Sequence, residues 1–166
     1  DDFHGTGGPL SVSDIPSKHV LGEAFHSASE ALGVPRNEDF NGAQQEGTGY
    51  VQTTTRKGLR WSTASGYLRG AAKKHIDLKL NSMVGKIDLD GKRATGVQWT
   101  DKSGSHQAKA RREIILSGGT FNSPQLLQIS GIGPEALLKK HGIAVQHELT
   151  GVGENLQDHF GIGAEY

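Results

Sequence analysis

The clearest pattern along the chain is a run of apolar residues at three- and four-residue intervals: Val20, Leu21, Ala24, Phe25, Ala28, Ala31 and Leu32. That spacing puts them on one face of a helix. Asp14 is a suitable cap and Pro16 suits a first turn, whereas Gly33 and Pro35 stop the run, so a helix is predicted over 17–32. From Arg36 to Leu59 no period holds, and Asn41-Gly42, Gly47 and Gly49 mark loop. Ser62 is placed to cap a second helix over 62–72, running through Tyr67 and Leu68.

After His75 the pattern changes. Ile76–Leu80, Met83–Leu89, Ala94–Thr100, Gln107–Arg111 and Glu113–Ser117 are short segments rich in strand-favouring residues. Asp90-Gly91 signals a hairpin with a type I′ turn, and Asp101 to Gly104 marks a longer turn. These predict an antiparallel meander within 76–111, then a strand at Ile114–Leu116 apolar enough to be buried on both faces. Helical spacing then returns. Ser123 caps and Pro124 opens a helix over 123–130, and Pro134 opens another over 134–141 that Gly142 closes. Ile143–Gln146 reads as a strand, and Gly151–His159 as a glycine-rich loop. A soft boundary at 73–75 separates a helix-and-loop half from a strand-rich half.

Composition alters this picture at one point. Twenty-four of 166 residues are glycine, about twice the usual share, and they sit beside apolar segments instead of forming a linker. Glycines so placed serve tight turns or a backbone that approaches a ligand. Eighteen basic residues balance eighteen acidic ones, which leaves no electrostatic footprint for nucleic acid. No apolar run approaches the roughly 20 residues of a transmembrane helix. The lack of cysteine excludes disulfides and thiolate chemistry and fits a cytoplasmic setting. The chain starts at Asp1 rather than Met, as expected of a piece of a longer protein.

Candidate chemistry is sparse. Gly131-Ile-Gly133-Pro-Glu-Ala136 fits G-x-G-x-x-A on paper, and an NAD-dependent dehydrogenase would use such a loop. That mechanism needs a strand before the first glycine, where a helix is predicted instead. The eight histidines are scattered, with no pair at metal-ligand spacing. His26 reads as a partly exposed helix residue. In Asp158-His159 the carboxylate could orient the imidazole. Ile114–Ser117 ending in Gly118-Gly119 would put bare amides at the carboxyl edge of a sheet, where α/β folds bind ligands.

The stretch from Gly119 through Ser123-Pro124, Leu126-Leu127 and Ser130-Gly131 to Gly133 resembles the second signature of the glucose–methanol–choline oxidoreductases across fifteen residues. Arg112–Gly118 and Gly151–His159 flank it as in that family. His4-Gly5, Gly8-Pro9-Leu10, Asp39-Phe40-Asn41-Gly42 and the segment from Arg60 to Leu68 resemble family motifs in the same order. The resemblance implies a flavoprotein that binds FAD and oxidises an alcohol to a carbonyl, the protein orienting and electrostatically tuning the cofactor.

The implied fold class is α/β, seen here as an α+β stretch. It holds part of an FAD-binding Rossmann-like domain with a β-meander, over 76–166, and part of a substrate-binding domain, over 1–75. By the same resemblance Val84 contacts the adenine through its backbone. Ser117, Gly118 and Gly119 form the strand end beside adenosine and pyrophosphate. Asn155, Asp158 and His159 belong to a loop approaching the flavin. The family's own dinucleotide fingerprint and its catalytic histidines fall outside the chain, so no catalytic residue is assigned within it. Choline-oxidising members resemble Asp-His-Pro-Glu at this loop, and the Asp158-His159-Phe160-Gly161 found here points to a neutral alcohol. The particular alcohol, the electron acceptor and the oligomeric state stay open. A free-standing, non-catalytic binding module is the alternative.

Overall fold

The computed structural model describes residues 2–163. The chain divides into two compact units, Asp1–Leu78 and Lys79–Tyr166.

In the first unit, α1 spans Val20–Ala31. Its cap is His19, whose Nδ1 accepts from the Leu21 amide at 3.2 Å. Asp14 does not cap it; that carboxylate accepts from Gln52 Nε2 at 3.1 Å, and Pro16 lies outside the helix. At the other end Gly33, with φ of 87°, closes a Schellman motif in which Gly33 N and Val34 N donate to the Glu30 and Ser29 carbonyls, each at 3.0 Å. The aperiodic stretch beyond is loop, as its sequence predicts, but a well-anchored one. Asn37 Nδ2 donates to the Gln44 and Glu46 carbonyls at 2.7 and 3.2 Å, and Asn37 Oδ1 accepts from the Asp39 amide at 2.8 Å.

β1 (Thr55–Arg56) and β2 (Leu59–Arg60) form a small hairpin. Its central residues Lys57 and Gly58 both have positive φ, the type I′ geometry. Ser62 caps α2 (Thr63–Tyr67) through the Ser65 amide. The predicted helix over 62–72 is nevertheless two pieces, because Arg69 is extended and Gly70, at φ 73°, starts a separate 3-10 helix over Gly70–His75. Ile76–Leu80 is not a strand: it joins none of the ladders among the described residues.

The second unit is built on the meander of β3 (Met83–Asp90), β4 (Arg93–Asp101) and β5 (Gly104–Lys109). Asp90 pairs with Arg93, and of the two residues between them only Gly91 has a positive φ, so the turn is of the II′ rather than the I′ kind. α3 (Gly119–Ile129) packs on β3. Ser130 fastens the two, since its Oγ donates to the Leu126 carbonyl at 2.6 Å and accepts from the Ile87 amide at 2.9 Å. β6 (Ile132–Gly133) and β7 (His147–Glu148) pair in parallel around α4 (Glu135–Lys140). The predicted strand at Ile143–Gln146 therefore falls at His147–Glu148. Among the described residues Ile87, Leu138 and Val152 are the buried apolar ones.

Two expectations for this unit fail. Ile114–Leu116 is no strand: Ile114 and Leu116 are half-buried, Ile115 is 78% exposed, and no described segment pairs with them. A strand buried on both faces needs neighbours on both edges. The helix expected over 123–130 begins four residues earlier, at Gly119, and holds Pro124 in its interior. Ser123 Oγ instead reaches back to accept from the Gly118 amide at 3.0 Å.

The chain exposes 13567 Å². Two folded domains of half its mass each would expose about 9,600 Å². Large apolar side chains account for part of the excess, among them Val20, Leu21, Phe25, Ile115 and Phe121.

Candidate functional site

Two cavities of the second unit reach the amino-terminal half of α3. The first is about 490 Å³ and is walled by Val84, Val97, Ile114 and Leu126, with Ser117, Gly118 and Asn122 supplying polar groups. A volume of this order, mostly apolar with a few polar groups, suits a small organic ligand. A β-bulge positions Val84. Val84 pairs with Trp99 and Lys86 with Gln98, so Gly85 is the extra residue. A bulge interrupts the ladder and re-aims the chain beside it.

The second cavity, about 1120 Å³, runs along Thr120–Gln125 and Gln128 of α3 and along Gly151–Gln157. Gln128 Nε2 donates to the Val152 carbonyl at 3.0 Å and ties the loop to the helix. Asn155 lies in this loop in the left-handed region, at φ 60°.

The residues singled out from the sequence thus fall into separate places. Val84, Ser117 and Gly118 meet in the first cavity, and Asn155 lines the second. Gly119 lines neither; at φ 83° it starts α3, and a Cβ there would meet nothing within 4 Å, so the cost of a side chain would be backbone strain. The amides expected to be bare before α3 are not all so, because Ser123 occupies that of Gly118. Asp158 and His159 line neither cavity and are exposed. The Asp158 carboxylate accepts from the His159 backbone amide at 2.8 Å, so adjacency in sequence has not led it to orient the imidazole.

The structure also brings forward residues that no sequence motif marks, and it corrects one expectation, that His26 is a partly exposed helix residue. His26 is buried, 5% exposed, with Nδ1 2.6 Å from Thr48 Oγ1 and its ring against Tyr50. Thr48 lies 22 positions away, so no local pattern signals the contact. In the turn after β4, Asp101 Oδ1 gathers the Ser103 amide at 2.7 Å, Ser103 Oγ at 2.6 Å and His106 Nε2 at 2.9 Å. The Ser103 and His106 hydrogen bonds hold the Asp101 carboxyl down at about 2. His106 also stacks on Trp99. One ring nitrogen faces both Ser103 and Asp101, so the three do not form a nucleophile–base–orienter relay. Gly131, at φ 90°, follows α3, and a Cβ there would lie 2.5 Å from the Ala144 carbonyl oxygen. Its glycine serves the β6–β7 pairing, and a helix precedes it, so the dinucleotide reading of Gly131–Ala136 fails. Among the described residues no group of three His, Asp or Glu could hold a metal, and no helix is long and apolar enough to cross a membrane.

A family profile described as GMC oxidoreductase matches residues 3–161. The chain is 46% identical to an oxygen-dependent choline dehydrogenase of Pectobacterium atrosepticum, over 100% of this chain and 30% of that protein. It is 45% identical to human mitochondrial choline dehydrogenase, over 96% of this chain and 27% of that one. Among solved structures, an FAD-dependent oxidoreductase from Chaetomium thermophilum superposes with a TM-score of 0.86 at 30% identity, over 95% of this chain and 28% of that one. A pyridoxine 4-oxidase superposes with a TM-score of 0.81, also at 30% identity, over 89% of this chain and 29% of that one. The chain thus spans about 30% or less of the length of these relatives.

Proposed function

The chain belongs to the GMC oxidoreductase family, and on that premise we propose that it is part of a longer FAD-dependent enzyme that oxidises an alcohol to a carbonyl. The observation that carries the proposal is the meeting of Val84, Ser117 and Gly118 in one apolar cavity of about 490 Å³. These residues come from β3 and from the segment before α3, 33 positions apart, and their environment fits a flat, largely apolar adenine. Backbone groups of Val84, re-aimed by the bulge at Gly85, would meet the adenine edge. Ser117 and the segment pinned by the Ser123–Gly118 hydrogen bond would flank the adenosine and pyrophosphate.

When bound, FAD supplies the acceptor for a hydride from the alcohol carbon. This chain's own part is to orient that cofactor and to exclude water from its adenine end, and the Asn155 loop would line the flavin side. No base for the alcohol proton is assigned among these residues. Residues 1–75 are assigned to substrate binding and 76–166 to FAD; the two compact units divide three residues later, after Leu78. The large exposed surface argues against a free-standing binding module.

The relatives' names favour choline, whereas Phe160-Gly161 supplies no carboxylate for a quaternary ammonium and favours a neutral alcohol. A cytoplasmic setting accords with the lack of cysteine, although the human relative's name places that protein in mitochondria.

The test uses the full-length protein. It should purify with one FAD per polypeptide, and Val84→Trp, which fills the first cavity, should lower flavin content at least ten-fold while leaving the apoprotein's melting temperature unchanged. Undiminished flavin in that variant would refute the adenine assignment. Faster turnover of choline than of a neutral alcohol of similar size would refute the substrate class alone.

A further inference from the structure

Gln128 lies near the end of α3, and its side chain leaves the helix for the loop after Gly151. Its Nε2 donates to the carbonyl of Val152, one of the buried apolar residues of the unit. Glycines make room for the side chain at two points. A Cβ on Gly153 would lie 2.6 Å from Gln128 Nε2, and one on Gly133 would lie 3.1 Å from Gln128 Cγ. Gly153 also sits at φ 87°. The backbone around the anchor is turned tightly, with Val152 N donating to the Leu149 carbonyl and Glu154 N to the Gly151 carbonyl, each at 3.2 Å. Asn155, left-handed and exposed, follows three residues after the anchored carbonyl.

We propose that Gln128 is a positioning residue for the flavin-side loop: by donating to the Val152 carbonyl it fixes where Asn155 enters the second cavity. This rests on the reading that the loop lines the flavin side of the cavity. The side-chain amide is the donor, so a group of equal length without an N–H leaves the part-buried Val152 carbonyl without this partner, which destabilises the loop conformation that the bond holds. The loop then shifts or opens locally while the cavity at Val84 and Ser117 keeps its walls.

The experiment compares hydrogen exchange of residues 151–157 in the full-length protein, without and with FAD, for wild type, Gln128→Met and Gln128→Glu. Wild type should show slowed exchange on FAD binding. In Gln128→Met these amides should exchange at least ten-fold faster with FAD bound, at undiminished flavin content. The flavin's visible absorption should shift, and kcat should fall about ten-fold. Gln128→Glu should behave likewise at neutral pH and regain protection at acid pH, when the protonated carboxyl again offers a donor. Wild-type protection, spectrum and kcat in both variants, with or without a lower melting temperature, would overturn the positioning role and leave Gln128 as packing. Exchange at 151–157 that is indifferent to FAD in wild type would instead overturn the flavin-side reading of the loop.

Discussion

In Asp1–Leu78 the chain is fixed chiefly by side chains that reach into loops, whereas in Lys79–Tyr166 it is fixed by backbone ladders with a few side chains fastening a helix to them. Asn37 bonds three backbone groups of its loop, His26 meets Thr48, and Arg36 reaches Glu23 and Glu38, each at 3.1 Å. The Arg36 guanidinium holds the Glu23 carboxyl below its ordinary range. The strands β3, β4 and β5, by contrast, pair continuously apart from local bulges. The first unit thus concentrates its stability in a few contacts without repeats, and the second spreads it over many similar ones. Single substitutions should be more damaging in the first.

The sharpest way to break this comparison is at Gly49. A Cβ there would overlap the Asn37 carbonyl oxygen, and the preceding residue is tied by the Arg36–Thr48 bridge. Gly49→Ala should cost about 4 kcal/mol, at the upper end for a point substitution. Hydrogen exchange on the full-length protein should show residues 35–50 opening while the meander amides keep their protection. Equal loss of protection in both units would show that they do not respond separately.

Next in size is His26→Leu. The aliphatic replacement keeps the volume roughly but leaves the buried Thr48 hydroxyl without its partner, for a loss of about 2–3 kcal/mol. Chemical denaturation with exchange measured at 35–50 checks it, and a change under 0.5 kcal/mol would remove His26 from the anchors. Ser130→Ala is the counterpart in the second unit. It strands the Ile87 amide, which is buried and long-range bonded, and should cost about 2 kcal/mol, read at Ile87 and its neighbours. Ser130→Ala proving costlier than His26→Leu would reverse the contrast.

How much of this was legible in the sequence follows the same division. α1, the three meander strands and α4 rest on local periodicity and on turn residues such as Gly33, Gly91 and Gly142, and their existence is readable within a few residues of where they lie. The lack of a strand at Ile114–Leu116 is not readable, because an apolar run signals a strand whereas pairing depends on partners that no described segment provides. The start of α3 is not legible either, because a proline favours a first turn. Here Pro124 sits deeper, where the only helical bond it forfeits is the one to the Thr120 carbonyl near the helix start. His26 and Ser130 act across 22 and 43 positions, beyond any window of periodicity. At the candidate site, the grouping of Val84 with Ser117 and Gly118 came from the family resemblance, since no spacing rule joins residues 33 positions apart.

The smallest effect expected is at Asp101, and it tests whether a side-chain cluster matters in a unit dominated by ladders. In the folded chain Ser103 and His106 hold this carboxyl at about 2, against an ordinary value of 3.8. A carboxylate whose pKa is depressed on folding contributes stability that is fully present above its unfolded pKa and is lost as the pH falls through the folded one. Asp101→Asn should therefore be less stable than wild type at neutral pH. The difference should shrink below about pH 4 and be mostly lost by pH 2. The site is half-exposed, so the effect is small and moderate salt should weaken its electrostatic part. Denaturation midpoints of both proteins, followed from pH 7 to pH 2, provide the measurement. A constant difference across that range would mean that the amide loses hydrogen-bond geometry and not charge. The β4–β5 turn would then owe its form to the ladder and to Gly104, at φ 124°, rather than to the cluster around Asp101.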